Sequence, residues 1–313
     1  MNQPLAIGID TGGTNTAYGI VNRNGEILIK GTLPTTGHAT AGDYIAALKT
    51  ELLPAIEKVG KENIVGIGIG APNGSVYTGE IMFAPNLPWR GVIPMVKIIE
   101  EEFGLKATLN NDANAAAIGE MMYGAAKGMK DFIVVTLGTG LGSGFVANGH
   151  MIYGHDGFAG ELGHVIAVRD GRKCNCGRNG CLERYASATG IVITANEWLS
   201  ERSDATLLRN VDGVLTGRII QEAAQQGDAF ALEIYDYTGK ILGQSLADAV
   251  AITSPEAIIF FGGLARGGSL IIDPTRKHME ENMLHIYKNK VALLQSTLPD
   301  ADAAILGASA LLW

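Results

Sequence analysis

Leu5-Ala-Ile-Gly-Ile-Asp10-Thr-Gly-Gly-Thr14 reads as an apolar strand that ends on a single acid and runs into a glycine turn. Ala17-Tyr-Gly-Ile-Val21 continues it as a second strand, and Asn24-Gly25 supplies a hairpin turn. The same order recurs at Ile133-Val-Val-Thr-Leu-Gly-Thr-Gly-Leu-Gly142, then Gly144-Phe-Val-Ala147, then Asn148-Gly149. One such unit is an ordinary hairpin. Its repetition at the start of two halves predicts a duplicated fold with facing loops.

Around these repeats, β-rich apolar runs alternate with helical ones, the pattern of an α/β protein. Further strands are expected at 64–69 and 257–261. Helices are expected at Ala41–Val59, 94–103, 114–126, 187–199, 216–226, 228–252, 274–284 and 307–312. Asp228 is a good N-cap, because Phe230, Ile234, Tyr237, Ile241, Leu242 and Leu246 follow it at helical spacing.

The 313 residues are 47% hydrophobic and 18% charged, ordinary globular values, and the length suggests two domains. A formal charge of −8 argues against a nucleic-acid or membrane-surface partner. No apolar run approaches the ~20 residues of a membrane-spanning helix. The start, MNQPLAIGID, lacks a basic segment and enters a strand directly, so a signal peptide is not expected. A cytoplasmic location follows as the default, where thiols stay reduced.

Glycine turns expose backbone N–H groups and let an anion approach closely. Gly12, Gly13 and Thr14 in one turn and Gly138, Thr139 and Gly140 in the other could clamp a polyphosphate across a cleft. Asp10 could hold a magnesium ion through water. The competing reading is two plain hairpin turns, since glycine is the default turn residue. No G-x-x-x-x-G-K-[ST] occurs, and Ser143 takes the last glycine position of a G-x-G-x-x-G, so neither a P-loop nor a dinucleotide site is expected. A third turn, Gly262-Gly263, follows an apolar strand and could pack against a nucleoside in a duplicated fold.

Asn110-Asn-Asp112-Ala-Asn114 sets one acid among three amides at a helix start. Asp and Asn are the favoured N-caps, so capping alone could explain them. The amides exceed what a cap needs, however, and a carboxylate at a helix N-terminus is expected to stay ionised. Asp112 could take a proton from a hydroxyl that attacks a phosphoryl group. Asn86, in Pro85-Asn-Leu-Pro-Trp89, is either a substrate ligand or a loop residue between prolines.

All three cysteines lie in Cys174-Asn-Cys-Gly-Arg-Asn-Gly-Cys-Leu-Glu183. Three thiols are one short of a closed zinc site. Of the six histidines, His164 lies ten residues before Cys174. His164, Cys174, Cys176 and Cys181 would form a Cys3His site with no open position, hence structural zinc. The alternative is three buried thiols and an unrelated histidine. The metal would stiffen a loop that carries Glu161, His164 and Glu183, and convergent carboxylates and imidazole suit a polyhydroxylated ligand such as a sugar. The two glycine turns lie in other segments of sequence, so zinc is expected to serve the sugar more than the nucleotide.

These residues together resemble the ROK family of sugar kinases and sugar-responsive repressors. Asp10-Thr-Gly-Gly-Thr14, Glu161-Leu-Gly-His164 and Cys174-x-Cys-Gly-x-x-Gly-Cys-x-Glu183 carry the resemblance. Leu137–Gly142, Asn111–Asn114 and Ala84–Trp89 support it, and Ala186-Ser-Ala-Thr-Gly190 is similar to bacterial glucokinases. The resemblance implies an actin-like (ribonuclease H-like) ATPase fold, with two domains, a duplicated βββαβα core and an interdomain cleft. The expected domains are 1–113 plus 300–313, and 114–299 with the zinc loop. It implies Asp112 as catalytic base and Asn86, Asn111, Asp112, Glu161, His164 and Glu183 as sugar ligands. ATP, Mg2+ and structural Zn2+ are the implied cofactors, and a homodimer the implied assembly. The implied activity is glucose phosphorylation by ATP. Kinases of N-acetylmannosamine, N-acetylglucosamine, mannose or fructose share most of these residues. The repressors of the family carry a helix-turn-helix domain ahead of the first turn, and only nine residues precede Asp10 here. Asn73, after Pro72, and Ser143 stand where the family usually has glycine.

Overall fold

The computed structural model describes residues 3–299 and 302–313. It opens with three strands, β1 (Leu5–Thr11), β2 (Asn15–Asn22) and β3 (Ile27–Pro34). Then come α1 (Ala41–Val59), β4 (Ile64–Ala71), the short β5 (Ile81–Met82) and β6 (Val92–Ile93), α2 (Met95–Phe103), β7 (Ala107–Asn111) and α3 (Asp112–Tyr123). The second half repeats the plan with β8 (Phe132–Leu137), β9 (Leu141–Ala147), β10 (His150–Met151), α4 (Ala188–Glu201), α5 (Gly217–Gln225), α6 (Ala229–Thr253), β11 (Ala257–Phe261), α7 (Ser269–Asn282) and β12 (Ala292–Gln295). Helix α8 (Ala303–Ala310) ends the element order.

The duplication is plain in the sheets. One has the order β3-β2-β1-β4-β7 and the other β10-β9-β8-β11-β12. In each, the glycine turn joins the antiparallel pair β1–β2 or β8–β9, and parallel strands follow on the other side. This is the duplicated α/β core expected of the actin-like fold.

Two compact units result. The first comprises Met1–Gly128, Met151–Gly160 and Thr297–Trp313, and the second Met129–His150 and Glu161–Ser296. The division therefore falls after α3 and not at 113/114. Small residues cause this. A Cβ at Gly119 of α3 would stand 2.8 Å from the Cα of Gly307 in α8, so the two helices touch backbone to backbone. In β1 and β4, Gly8 and Gly68 likewise leave no room for a Cβ beneath the α8 carbonyls of Ile305 and Ala308. Met151–Gly160 joins the first unit through Tyr153, whose hydroxyl accepts a hydrogen bond from Asn110 Nδ2 at 3.0 Å.

Each unit has its own apolar core. In the first, Ile7, Ile9, Ile67 and Ile69 of the central strands are fully buried against Tyr44, Leu48 and Leu52 of α1. In the second, Ile133, Val135 and Ile258 pack with Ile234, Leu242 and Leu246 of α6.

Candidate active site

In the first unit, Asp10 is the penultimate residue of β1 and Gly12 turns the chain, its N–H donating to Asn15 O at 3.1 Å. Thr14 is exposed at the tip. Thr11 and Thr16, on either side of the turn, both hydrogen-bond the buried hydroxyl of Tyr44, at 3.2 and 2.9 Å. The Tyr44 ring lies 4.9 Å from that of Trp89. Trp89 and Leu87 are buried and anchor the loop that exposes Asn86. A Cβ at Gly13 would stand 2.5 Å from the Asn86 carbonyl oxygen, so the Asn86 loop rests directly on the first glycine turn.

Helix α3 starts beside them. Asn111, not Asp112, is its N-cap: Asn111 Oδ1 accepts from Ala113 N at 2.9 Å and Asn114 N at 3.4 Å. Asn110 Oδ1 accepts from Asn114 Nδ2 at 3.2 Å. The three amides thus build the helix start, and Asp112, as first helical residue, is relieved of capping. Its Oδ1 accepts from Ala113 N at 2.8 Å, and its side chain reaches solvent. The protein packed around Asp112 nevertheless pushes its carboxyl above the usual range, with the N–H groups of Ala113 and Asp112 itself pulling back. The expected helix-terminus stabilisation is therefore present but outweighed. Asp10 is pushed up to about 7, first by burial and then by the negative charge of Asp112. Two acids held this way form a site that a divalent cation would stabilise, since the cation removes their repulsion. The donor set, all carboxylate oxygen, fits Mg2+.

In the second unit, His164, Cys174, Cys176 and Cys181 converge. Their ligand atoms all lie within 4.8 Å of one another. Cys176 Sγ and Cys181 Sγ are 3.5 Å apart, and Cys174 Sγ is 3.9 Å from His164 Nδ1. Tetrahedral bonds of ~2.3 Å to sulfur and ~2.0 Å to nitrogen put neighbouring ligand atoms about 3.5–3.8 Å apart, so the set fits zinc. No disulfide competes, as all three cysteines are free. Gly177 and Gly180 both have positive φ, 89° and 82°, where the chain doubles back between the thiols. Arg172 fixes the loop from behind: it pairs with Glu197 of α4, donates to Arg184 O at 2.8 Å and stacks 4.4 Å from the Tyr185 ring centroid.

Glu183 follows the last thiol but faces the second glycine turn. Its Oε2 accepts from Leu141 N at 3.1 Å, and a Cβ at Gly140 would displace this carboxylate. Ala188 N donates to Gly138 O at 2.8 Å. The third turn meets the same place: Leu264 N donates to Leu137 O at 3.0 Å, and Gly262, at φ 102°, lies against Leu137. The zinc loop and the second glycine turn are separate in sequence and adjacent in space.

Beside the third turn lies a cavity of about 410 Å³, walled by Gly263, Leu264, Arg266, Ala188, Tyr235 and the α5 face Gly217–Gln225. Its size is that of a small-molecule pocket. The α5 wall and Tyr235 lie within expected helices and belong to no local motif. Their signal is tertiary.

Asp10, Gly12–Thr14, Asn86, Asn111 and Asp112 thus belong to the first unit. Gly138–Gly140, Glu161, His164, Glu183, Gly262, Gly263 and the thiols belong to the second.

The ROK family profile matches residues 6–313. A glucokinase of Halalkalibacterium halodurans is 37% identical, over 98% of this chain and 94% of its own. One from Thermotoga maritima is 35% identical, over 98% and 96%. Among solved structures, a ROK family glucokinase from Streptomyces griseus in complex with glucose and AMPPNP has a TM-score of 0.83 and 35% identity, with 98% of each chain covered.

Proposed function

The chain belongs to the ROK family, and we propose that it is an ATP-dependent hexose kinase that transfers the γ-phosphoryl group of ATP to glucose, giving glucose 6-phosphate. The observation that carries this reading is the whole-chain match to a glucokinase whose structure holds glucose and an ATP analogue.

Asp112 is the proposed general base. It reaches solvent, capping is done by Asn111, and its raised pKa brings it toward the range in which a carboxylate accepts a proton efficiently. The hydroxyl of the sugar loses its proton to Asp112 as its oxygen attacks the γ-phosphorus, and the bond to the β-phosphate oxygen breaks. Mg2+, when bound, supplies positive charge between the phosphates, and Asp10 is the residue proposed to hold it, through water. Asn86, Asn111, Asp112, Glu161, His164 and Glu183 are proposed sugar ligands. Asn111 keeps its Nδ2 hydrogens as donors, because only its oxygen caps the helix. His164 offers Nε2, because Nδ1 takes the cluster side. Gly12, Gly13, Thr14, Gly138, Thr139 and Gly140 would present backbone N–H groups and hydroxyls to the phosphates. Gly262 and Gly263 would meet the nucleoside, with the adjoining cavity as its seat.

His164, Cys174, Cys176 and Cys181 are the proposed ligands of structural zinc. With every position filled by protein, the metal would shape the loop and take no part in phosphoryl transfer. A cytoplasmic location, which keeps these thiols reduced, and a homodimer complete the reading. No described helix is long and apolar enough to cross a membrane.

The test is a coupled kinase assay with ATP and Mg2+ over glucose, mannose, fructose, N-acetylglucosamine and N-acetylmannosamine. Glucose should give the highest kcat/KM. A tenfold preference for an acetylated sugar would move the chain to that substrate, and no turnover of any sugar would leave a sugar-binding regulator.

A further inference from the structure

Ser143 follows the second glycine turn on β9 and is buried. Its Oγ accepts the backbone N–H of Leu162 at 3.1 Å. Leu162 is the middle of Glu161-Leu-Gly-His164, two residues from a proposed zinc ligand, and is itself buried. The next residue, Gly163, lies so close to the Leu141 carbonyl that a Cβ could not fit. On the far side of the turn, Glu183 receives Leu141 N–H and approaches Cys174 Sγ at 3.9 Å. The turn is therefore gripped from both ends of the metal loop, by Ser143 at its start and Glu183 at its finish. A glycine at position 143 would remove the first grip and leave a buried N–H without its acceptor.

We propose that Ser143 is a positioning residue: its hydroxyl fastens the Glu161–His164 segment to the strand leaving the second glycine turn, so that metal cluster and turn move as one body. Zinc occupancy then sets nucleotide affinity, and by linkage nucleotide occupancy slows zinc loss. The nucleotide half of this inference rests on the kinase reading, whereas the grip on the metal loop does not.

The experiment compares zinc-loaded wild type with Ser143→Ala and Ser143→Gly, both checked for a cooperative thermal transition. In the first arm, zinc release to a chromophoric chelator is timed with and without Mg·AMPPNP. Both variants should release zinc roughly five- to a hundredfold faster, the range for a buried donor left unpaired. AMPPNP should slow release in wild type and much less in the variants. In the second arm, the Kd for Mg·AMPPNP is measured before and after chelation. Wild type should weaken several-fold on losing zinc, and the ratio should shrink toward one in Ser143→Ala. Zinc release unchanged in both folded variants would overturn the role of Ser143. Wild-type AMPPNP affinity indifferent to zinc would overturn the coupling. If wild type binds no AMPPNP at all, the kinase reading fails, and the release rates without nucleotide still decide on Ser143.

Discussion

Glu183 Oε2 and the backbone N–H of Leu141 form a 3.1 Å hydrogen bond between residues 42 positions apart. It places a carboxylate of the metal loop on the turn proposed to hold phosphate. In the first unit, the Asn86 carbonyl rests on Gly13 in a comparable way. Each glycine turn therefore lies directly against a residue proposed to bind the sugar, backbone to backbone at Gly13 and through the Glu183 carboxylate at Gly140. Substitutions at either place should not be read as affecting one substrate alone.

Asp112→Asn should keep the fold, because Asn111 holds the cap, and should leave glucose binding nearly unchanged. Its kcat should fall by ~10²–10⁴, the usual effect of a lost general base. Steady-state kinetics beside a glucose titration check this. Turnover near wild type would remove Asp112 from the chemistry.

Cys176→Ser should lose the one zinc per chain that wild type is expected to carry. Glucose affinity should fall with it, as Glu161, His164 and Glu183 lose their support. Metal content and a glucose titration are the measurements, and zinc loss with wild-type glucose affinity would sink the organising role.

Gly263→Leu tests the cavity. A Cβ at Gly263 meets nothing within 4 Å, so a larger side chain is accommodated by filling open space. KM for ATP should rise at least about tenfold, while KM for glucose and thermal stability stay near wild type, as expected for occluding a pocket of this size. Unchanged KM for ATP would place the nucleoside elsewhere.

Asp10→Asn tests the paired acids. The Asp10 carboxyl is pushed from 3.8 to about 7 in the folded chain. Between those values the folded state holds a proton that the unfolded state has released. Stability from this group therefore falls as pH rises through that window and stays low above it. Without metal, Asp10→Asn should melt higher than wild type at pH 8, by about a few degrees, and the two should converge near pH 4. Mg2+ should raise the Tm of wild type more than that of the variant. Parallel Tm–pH curves with and without Mg2+ would refute this account.

The duplication was legible because the strand–glycine turn–strand repeat is local, and α1 keeps its expected bounds because a capping box at Thr40–Asp43 starts it. Six strands were not. β5, β6 and β10 have two residues each, β3 is half-exposed and interrupted by Gly31, β7 ends in two asparagines that read as a loop, and β12 is only four residues long. Helix α7 begins at Ser269 and not at the expected Pro274: proline suits a first helical position, yet here it lies inside the helix. Gly239 of α6 packs beneath it. In the site, the cysteine spacing was local and legible. The grip of Glu183 and Ser143 on the second turn was not, since it depends on which segments the fold brings together.

The discontinuous path of the first unit has a consequence for biosynthesis. Its sheet strands are translated first, but α8, which fills the hollows over Gly8 and Gly68, is translated only after the whole of the second unit. The second unit is contained in Met129–Ser296 and needs nothing made later. On the ribosome the usual N-to-C order of domain completion is thereby inverted. The earliest strands, β1 and β4, wait with an uncovered apolar face until residues 303–310 emerge, and a nascent chain stalled before that point is the form most exposed to aggregation and to chaperone capture.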